Sequence, residues 1–120
     1  KGFRAEAARE VFARSSLEQF GAVVATAHSA EEARERLRRD PPDVLLSDLR
    51  MPDEDGLQFI RAVRQLDAER GRRTPAAALT ALARTTDRQQ ALEAGFEVHL
   101  AKPVDPLELA ATVEQLARSA

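Results

Sequence analysis

The stretch Asp43-Val-Leu-Leu-Ser-Asp-Leu-Arg-Met-Pro-Asp-Glu-Asp-Gly56 decides the reading of this chain. Its first half, 43–48, holds the continuous apolar run Val44-Leu-Leu46 and closes on an acid. Continuous rather than alternating hydrophobicity marks a strand covered on both faces, as in a parallel sheet. Its second half carries Pro52 and Asp55-Gly56, the punctuation of a loop. A carboxylate, Asp48, therefore stands where a buried strand runs out into a loop.

Working outward, the same alternation repeats. Residues 57–69 form an amphipathic helix with Leu57, Ile60, Val63, Arg64 and Leu66 around its inner stripe. After the basic loop RGRRTP, 76–80 (AAALT) is a small-residue strand of weak propensity. Thr86 and Gln89 cap a helix closing at Ala94-Gly95, and 96–101 (FEVHLA) is the next strand. Lys102-Pro103 breaks it, and Asp105 with Pro106 at the first helical position opens a final helix to about residue 117. Upstream, Pro41-Pro42 ends a helix opened by a Ser29–Glu32 capping box. Before that helix, 22–26 (AVVAT) is a strand, and 5–20 reads as a first helix with Ala8, Val11, Phe12, Ser15 and Phe20 near one face. Strict alternation of helix and strand specifies a parallel sheet sandwiched between helices. Ligands of such sheets bind at the carboxyl ends of the strands.

Three chemically complementary side chains stand at those ends: Asp48, Thr80 and Lys102. A carboxylate can accept a phosphoryl group as an acyl phosphate. An ammonium pairs with one of the oxygens of that group and a hydroxyl donates to another. Mg2+, which takes oxygen ligands, one or two carboxylates and several waters, suits the remaining charge. Lys102 stands out because only two of the eighteen cationic side chains are lysine.

Composition narrows the function further. The 120 residues make one domain, 1–120. No cysteine is present, which excludes disulfide frameworks, thiolate metal sites and cysteine catalysis. A net charge of −2 and the lack of Trp and Tyr argue against a nucleic-acid surface. No apolar run is long enough to span a membrane, and the charged opening KGFRAEAARE is unlike a signal peptide. The expectation is a cytoplasmic protein with no nucleic-acid partner and no direct membrane contact. A calcium loop at 51–62 fails, because with Gly56 at position six Met51 and Ala62 fall where carboxylates are required. Asp53 and Asp55 are then turn and cap residues, and His28 is a loop residue. A flavin-binding reading fails for want of a phosphate-cradling loop and aromatic flanks.

The segments DVLLSDLRMPDEDGLQFI, LTA at 79–81 and LAKPVDP at 100–106, in this order, resemble the receiver (response-regulator) domain of two-component signalling, over about residues 8–120. The resemblance implies a flavodoxin-like (βα)5 doubly wound sheet of order 2-1-3-4-5. It implies that Asp48 accepts a phosphoryl group, that Lys102 pairs with it, and that Thr80 is the hydroxyl switch. It further implies that Ala81 offers a backbone N–H to the phosphoryl oxygens, that Asp48 and the Arg50 carbonyl hold Mg2+, and that Lys102-Pro103 is cis. His99 takes the place of the family's aromatic switch residue. The implied partners are a histidine kinase or phosphotransfer domain upstream and a downstream protein that reads the altered surface. The domain itself is not a turnover enzyme; KGFR suggests an upstream linker and so a hybrid-kinase parent. The alternative is a pseudo-receiver, an interaction module that is not phosphorylated.

One element of that pattern is missing from this reading. The family opens with an apolar strand ending in paired acids that hold the metal. Here 1–4 is a lead-in, the first helix starts at about residue 5, and Arg4-Ala5 stands where the acids belong, with Glu6 the nearest acid. Without the central strand, facing edges would be unpaired, at about 1–3 kcal/mol for each buried group, enough to consume the ~5–15 kcal/mol stability of a domain. The expectation is therefore that about seven residues are absent between Arg4 and Ala5, or else that a strand is swapped in from another chain.

Overall fold

The computed structural model describes residues 3–8, 11–81 and 85–118. Ten elements alternate: β1 (Arg4–Ala8), α1 (Val11–Gln19), β2 (Val23–Ala27), α2 (Ala30–Arg39), β3 (Val44–Asp48), α3 (Gly56–Arg70), β4 (Ala76–Thr80), α4 (Thr85–Ala94), β5 (Val98–Ala101) and α5 (Pro106–Arg118). The strands form one sheet in the order β2-β1-β3-β4-β5, parallel throughout. The expected doubly wound order is thus observed.

The first strand, however, is present, and it is built from residues assigned by sequence to a lead-in and a helix. Arg4-Ala-Glu-Ala-Ala8 lies between β2 and β3, with Ala5 opposite both Val24 and Val44. The expectation of seven absent residues, or of a swapped strand, is therefore overturned. So is the helix start near residue 5, because α1 begins at Val11. Ala8 belongs to the sheet, and Phe20 lies beyond the helix and is half exposed. The residues that follow the first strand in sequence are Arg9 and Glu10, not Arg4 and Ala5; both lie outside the described residues.

The edges of β2 and β3 do require a partner, and a segment of good helix formers supplies it. The central slot is tightly covered, and Ala5, Ala7 and Ala8 leave at most 2% of their surface exposed. Small side chains let helices close over the strand from both sides. β4 uses the same device, with Ala76, Ala77 and Ala78 fully buried.

Strand alternation splits the core in two. Ala8, Leu45, Ala76 and Ala78 face α2, α3 and α4, packing on Leu37, Phe59, Ile60 and Val63. Ala5, Ala7, Val44, Leu46, Ala77 and Leu79 face α1 and α5, packing on Leu17, Leu109, Val113 and Leu116. Caps fix the starts of α2 and α5 as the sequence indicates, whereas α4 begins at Thr85, so Thr86 lies inside the helix it was expected to cap. The Ser29 side chain accepts the Glu32 N–H, and Asp105 accepts those of Leu107 and Glu108. No described helix is long and apolar enough to cross a membrane.

Candidate phosphoacceptor site

Asp48 is the last residue of β3, Thr80 the last of β4, and Lys102 follows β5 directly. Because all three strands run the same way, these positions share one rim of the sheet. Lys102 Nζ lies 3.1 Å from Asp48 Oδ2, and the Arg50 N–H donates to Asp48 Oδ1 at 3.0 Å. Each carboxylate oxygen thus has one cationic or N–H partner and a lone pair left over. The Asp48 side chain is 19% exposed, so it is sheltered yet reachable.

The backbone ties the rim together. The Lys102 N–H donates to the Thr80 carbonyl at 2.8 Å, and that of Leu49 to the Leu79 carbonyl at 3.1 Å. The Lys102-Pro103 bond is cis, as the resemblance implied. Thr80 is buried, and beside it a cavity of about 480 Å³ opens between the loop after β3 and α4, walled by Arg50, Met51, Thr80, Asp87 and Gln90. Ala81 is exposed at the end of β4; the residues that follow it, 82–84, lie outside the described residues.

His99 sits in β5 opposite Ala78 and is half-buried. Its Nε2 is buried and makes no hydrogen bond among the described residues. Burial holds its pKa below the ordinary histidine value, with the Asp87 carboxylate pulling the other way and Arg88 reinforcing the depression. His99 therefore belongs to the surroundings of α4, about three residues from the phosphoacceptor pair rather than in it.

The loop between β3 and α3 is closed by Gly56. A Cβ there would lie 2.7 Å from Leu49 Cα and 2.9 Å from the Asp48 carbonyl oxygen, so only glycine admits this approach. Asp55 caps α3 through the Leu57 N–H, as expected of a cap residue. Asp53 does more than turn the chain. Its two carboxylate oxygens accept the N–H groups of Ala30 and Glu31 at the start of α2. Sequence reasoning missed this link because the partners are more than twenty residues apart. It missed Glu6 as well, a buried acid in the central strand; an acid inside an otherwise small apolar strand was the available signal.

Among the described residues no group of three or more His, Asp or Glu side chains comes together to hold a metal. The donor at the rim is nonetheless a hard oxygen, the Asp48 carboxylate with lone pairs to spare, and Arg50, whose N–H reaches it, carries a backbone carbonyl on the same loop. That set fits a Mg2+ ion that keeps most of its waters.

Comparison with known proteins agrees with this geometry. The family model of the response regulator receiver domain matches residues 6–114. The chain belongs to the response-regulator receiver family. It is 50% identical over 102 residues to a 14.6 kDa protein of Leptolyngbya boryana, covering 85% of this chain and 76% of that one. It is 41% identical over 90 residues to the response regulator Rre1 of Synechocystis, covering 75% of this chain and 38% of that regulator. Among solved structures, the receiver domain of a sensor histidine kinase from Pseudomonas aeruginosa, described with a magnesium ion in its active-site cleft, superposes with a TM-score of 0.86 at 28% identity, over 98% of this chain and 99% of that one. The receiver fold thus accounts for nearly the whole chain, whereas regulators such as Rre1 extend well beyond it.

Proposed function

We propose that this receiver domain takes a phosphoryl group onto Asp48 from the phosphohistidine of a histidine kinase or phosphotransfer domain, and that the acyl phosphate re-shapes the surface read by a downstream protein. The observation that carries this reading is the Lys102 ammonium 3.1 Å from Asp48 Oδ2, with the Arg50 N–H on the other oxygen. These contacts orient the carboxylate at the sheet rim and leave it partly exposed to a donor. An Asp48 oxygen attacks phosphorus, the P–N bond of the donor breaks, and the imidazole leaves with its electron pair. Lys102 then faces a phosphoryl oxygen in place of a carboxylate oxygen, a charge-assisted contact roughly twice as strong as a neutral one. Thr80, through its hydroxyl, and Ala81, through its N–H, are the donors for the other oxygens.

Asp48 and the Arg50 carbonyl are the described groups that would hold Mg2+, which when bound supplies neutralisation of the charge gathered at the rim. The Thr80 hydroxyl turning toward the phosphoryl group draws β4 with it. His99, beside α4, answers by changing its burial, which carries the switch to the surface of α4, β5 and α5. The new charge biases a two-state element by this route.

The test is incubation with acetyl phosphate, with and without Mg2+, followed by mass spectrometry. One phosphoryl adduct is expected with Mg2+, mapped to Asp48 and lost in Asp48→Asn. Lack of any Mg2+-dependent adduct would replace this reading with the unphosphorylated pseudo-receiver.

A further inference from the structure

The loop from Leu49 to Asp55 carries Arg50, whose N–H touches the Asp48 carboxylate. Part of its shape is set internally. The Gly56 N–H donates to the Leu49 carbonyl at 3.0 Å, and Arg50 and Asp55 form a short antiparallel bridge. The outer half of the loop is held by a different element. Asp53 Oδ1 accepts the Ala30 N–H at 3.0 Å and Oδ2 the Glu31 N–H at 3.1 Å. Glu54 ion-pairs with Arg34 one turn further along α2, with both side chains largely buried.

The capping of α2 is therefore shared between two parts of the chain. Ser29 serves the Glu32 N–H, whereas the N–H groups of Ala30 and Glu31 are satisfied from the loop. An anion at a helix N-terminus gains from the unpaired N–H groups and the helix dipole together. Those backbone bonds, Ala30 foremost, hold the Asp53 carboxyl below its ordinary pKa, which keeps it ionised as a clamp. Three points of α2, residues 30, 31 and 34, thus grip two consecutive acids of the loop. A single cap would leave the loop able to pivot. The second contact, one helical turn away, removes that freedom.

We infer that Asp53 and Glu54 are positioning residues that clamp the phosphoacceptor loop to α2 and so hold Arg50 against Asp48 for phosphoryl capture. The inference rests on the phosphoacceptor reading for its consequence, though the clamp itself has a readout of its own. Its weight lies in geometry: Asp53 and Glu54 touch α2, and Arg50, three residues before Asp53, touches Asp48. The Arg50–Asp55 bridge ties the two halves of the loop together, so a displacement of Asp53 and Glu54 from α2 is transmitted to Arg50.

Two measurements on Asp53→Ala, Asp53→Asn, Glu54→Arg, Arg34→Glu and the Arg34→Glu/Glu54→Arg double variant test it. The first is amide hydrogen exchange at 49–56, referenced to the amides of β4, which report global opening. The second is the rate of phosphoryl uptake from acetyl phosphate. Asp53→Ala is expected to raise loop exchange tenfold or more beyond any change in β4 and to slow uptake at least fivefold. Asp53→Asn, which keeps one acceptor oxygen but loses the second and the charge, is expected to recover only part of both. Each single charge reversal slows uptake, and the double reversal restores it, which a general loss of stability would not do. Loop exchange that rises only in step with β4, or unchanged uptake once the loop has loosened, overturns the inference. Failure of the wild-type chain to take up phosphate at all removes the phosphoacceptor reading and the catalytic consequence with it, while exchange still decides whether the clamp exists.

Discussion

Glu6 lies in the middle of the central strand, opposite Ala25 of β2 and Leu45 of β3, with 5% of its surface exposed. Among the described residues its Oε2 makes no hydrogen bond, and Arg36, which Glu32 also engages, places its Nη1 3.7 Å away. Burial outweighs the pull of Arg36 and Arg4, and Glu32 adds to it, so the carboxyl pKa is pushed from 4.5 to about 7. A raised acid pKa means that the folded state binds the proton more tightly than the unfolded one. Stability from this group is therefore complete below about pH 4.5 and is lost as the pH rises through 7. At 1.36 kcal/mol for each pKa unit, the full penalty is about 3 kcal/mol above pH 8.

Glu6→Gln replaces the acid with a neutral side chain of the same shape. Its stability gain over wild type is expected to be small at pH 5 and to grow by about 2–3 kcal/mol by pH 8.5. Urea denaturation of both proteins at these two pH values, compared at equal m-value, measures it. Comparing the difference between the proteins cancels all other titrating groups. A gain that stays constant across this range, or that grows toward acid, would refute the placement of Glu6 as a desolvated acid. It would also cast doubt on the strand register that buries it.

Three further outcomes follow from contacts elsewhere. Gly56→Ala should lower stability by about 1–3 kcal/mol in thermal unfolding, because its Cβ meets the Leu49 and Asp48 backbone; it should slow phosphoryl uptake as well. Arg64, 14% exposed, donates to the Gly95 and Thr74 carbonyls and pairs with Asp67 and Glu97, so Arg64→Met should cost about 3–5 kcal/mol by stranding buried Asp67. Arg64→Lys should rescue little of this in the same denaturation assay, since one ammonium cannot replace the forked guanidinium. For His99, the depressed pKa puts its contribution at full strength above the ordinary histidine range and loses it on acidification below about pH 6.5. His99→Phe should flatten that limb of the stability curve, and an unchanged acid limb would refute the burial of its ring.

The site was legible in the sequence because its information is local. A strand's end can be read from where its apolar run stops, and parallel topology brings all such ends to one rim. Asp48, Thr80 and Lys102 needed nothing more than that to be placed on one rim, and an ion pair joins two of them, Asp48 and Lys102. The caps at Ser29, Asp55 and Asp105 are local too, each settled within three residues.

Residues 4–8 were misread for the opposite reason. Arg-Ala-Glu-Ala-Ala favours a helix by every local measure, yet nine backbone positions on β2 and β3 pair with it as a strand. Propensity differences amount to tenths of a kcal/mol per residue, whereas leaving two facing strand edges unpaired costs far more. The burial of Glu6 and the reach of Asp53 to α2 follow likewise from which elements the completed sheet brings side by side. The sequence by itself determined the order of elements and the chemistry at the strand ends. The tertiary structure alone decided what fills the central slot, since that choice is made by neighbours far along the chain.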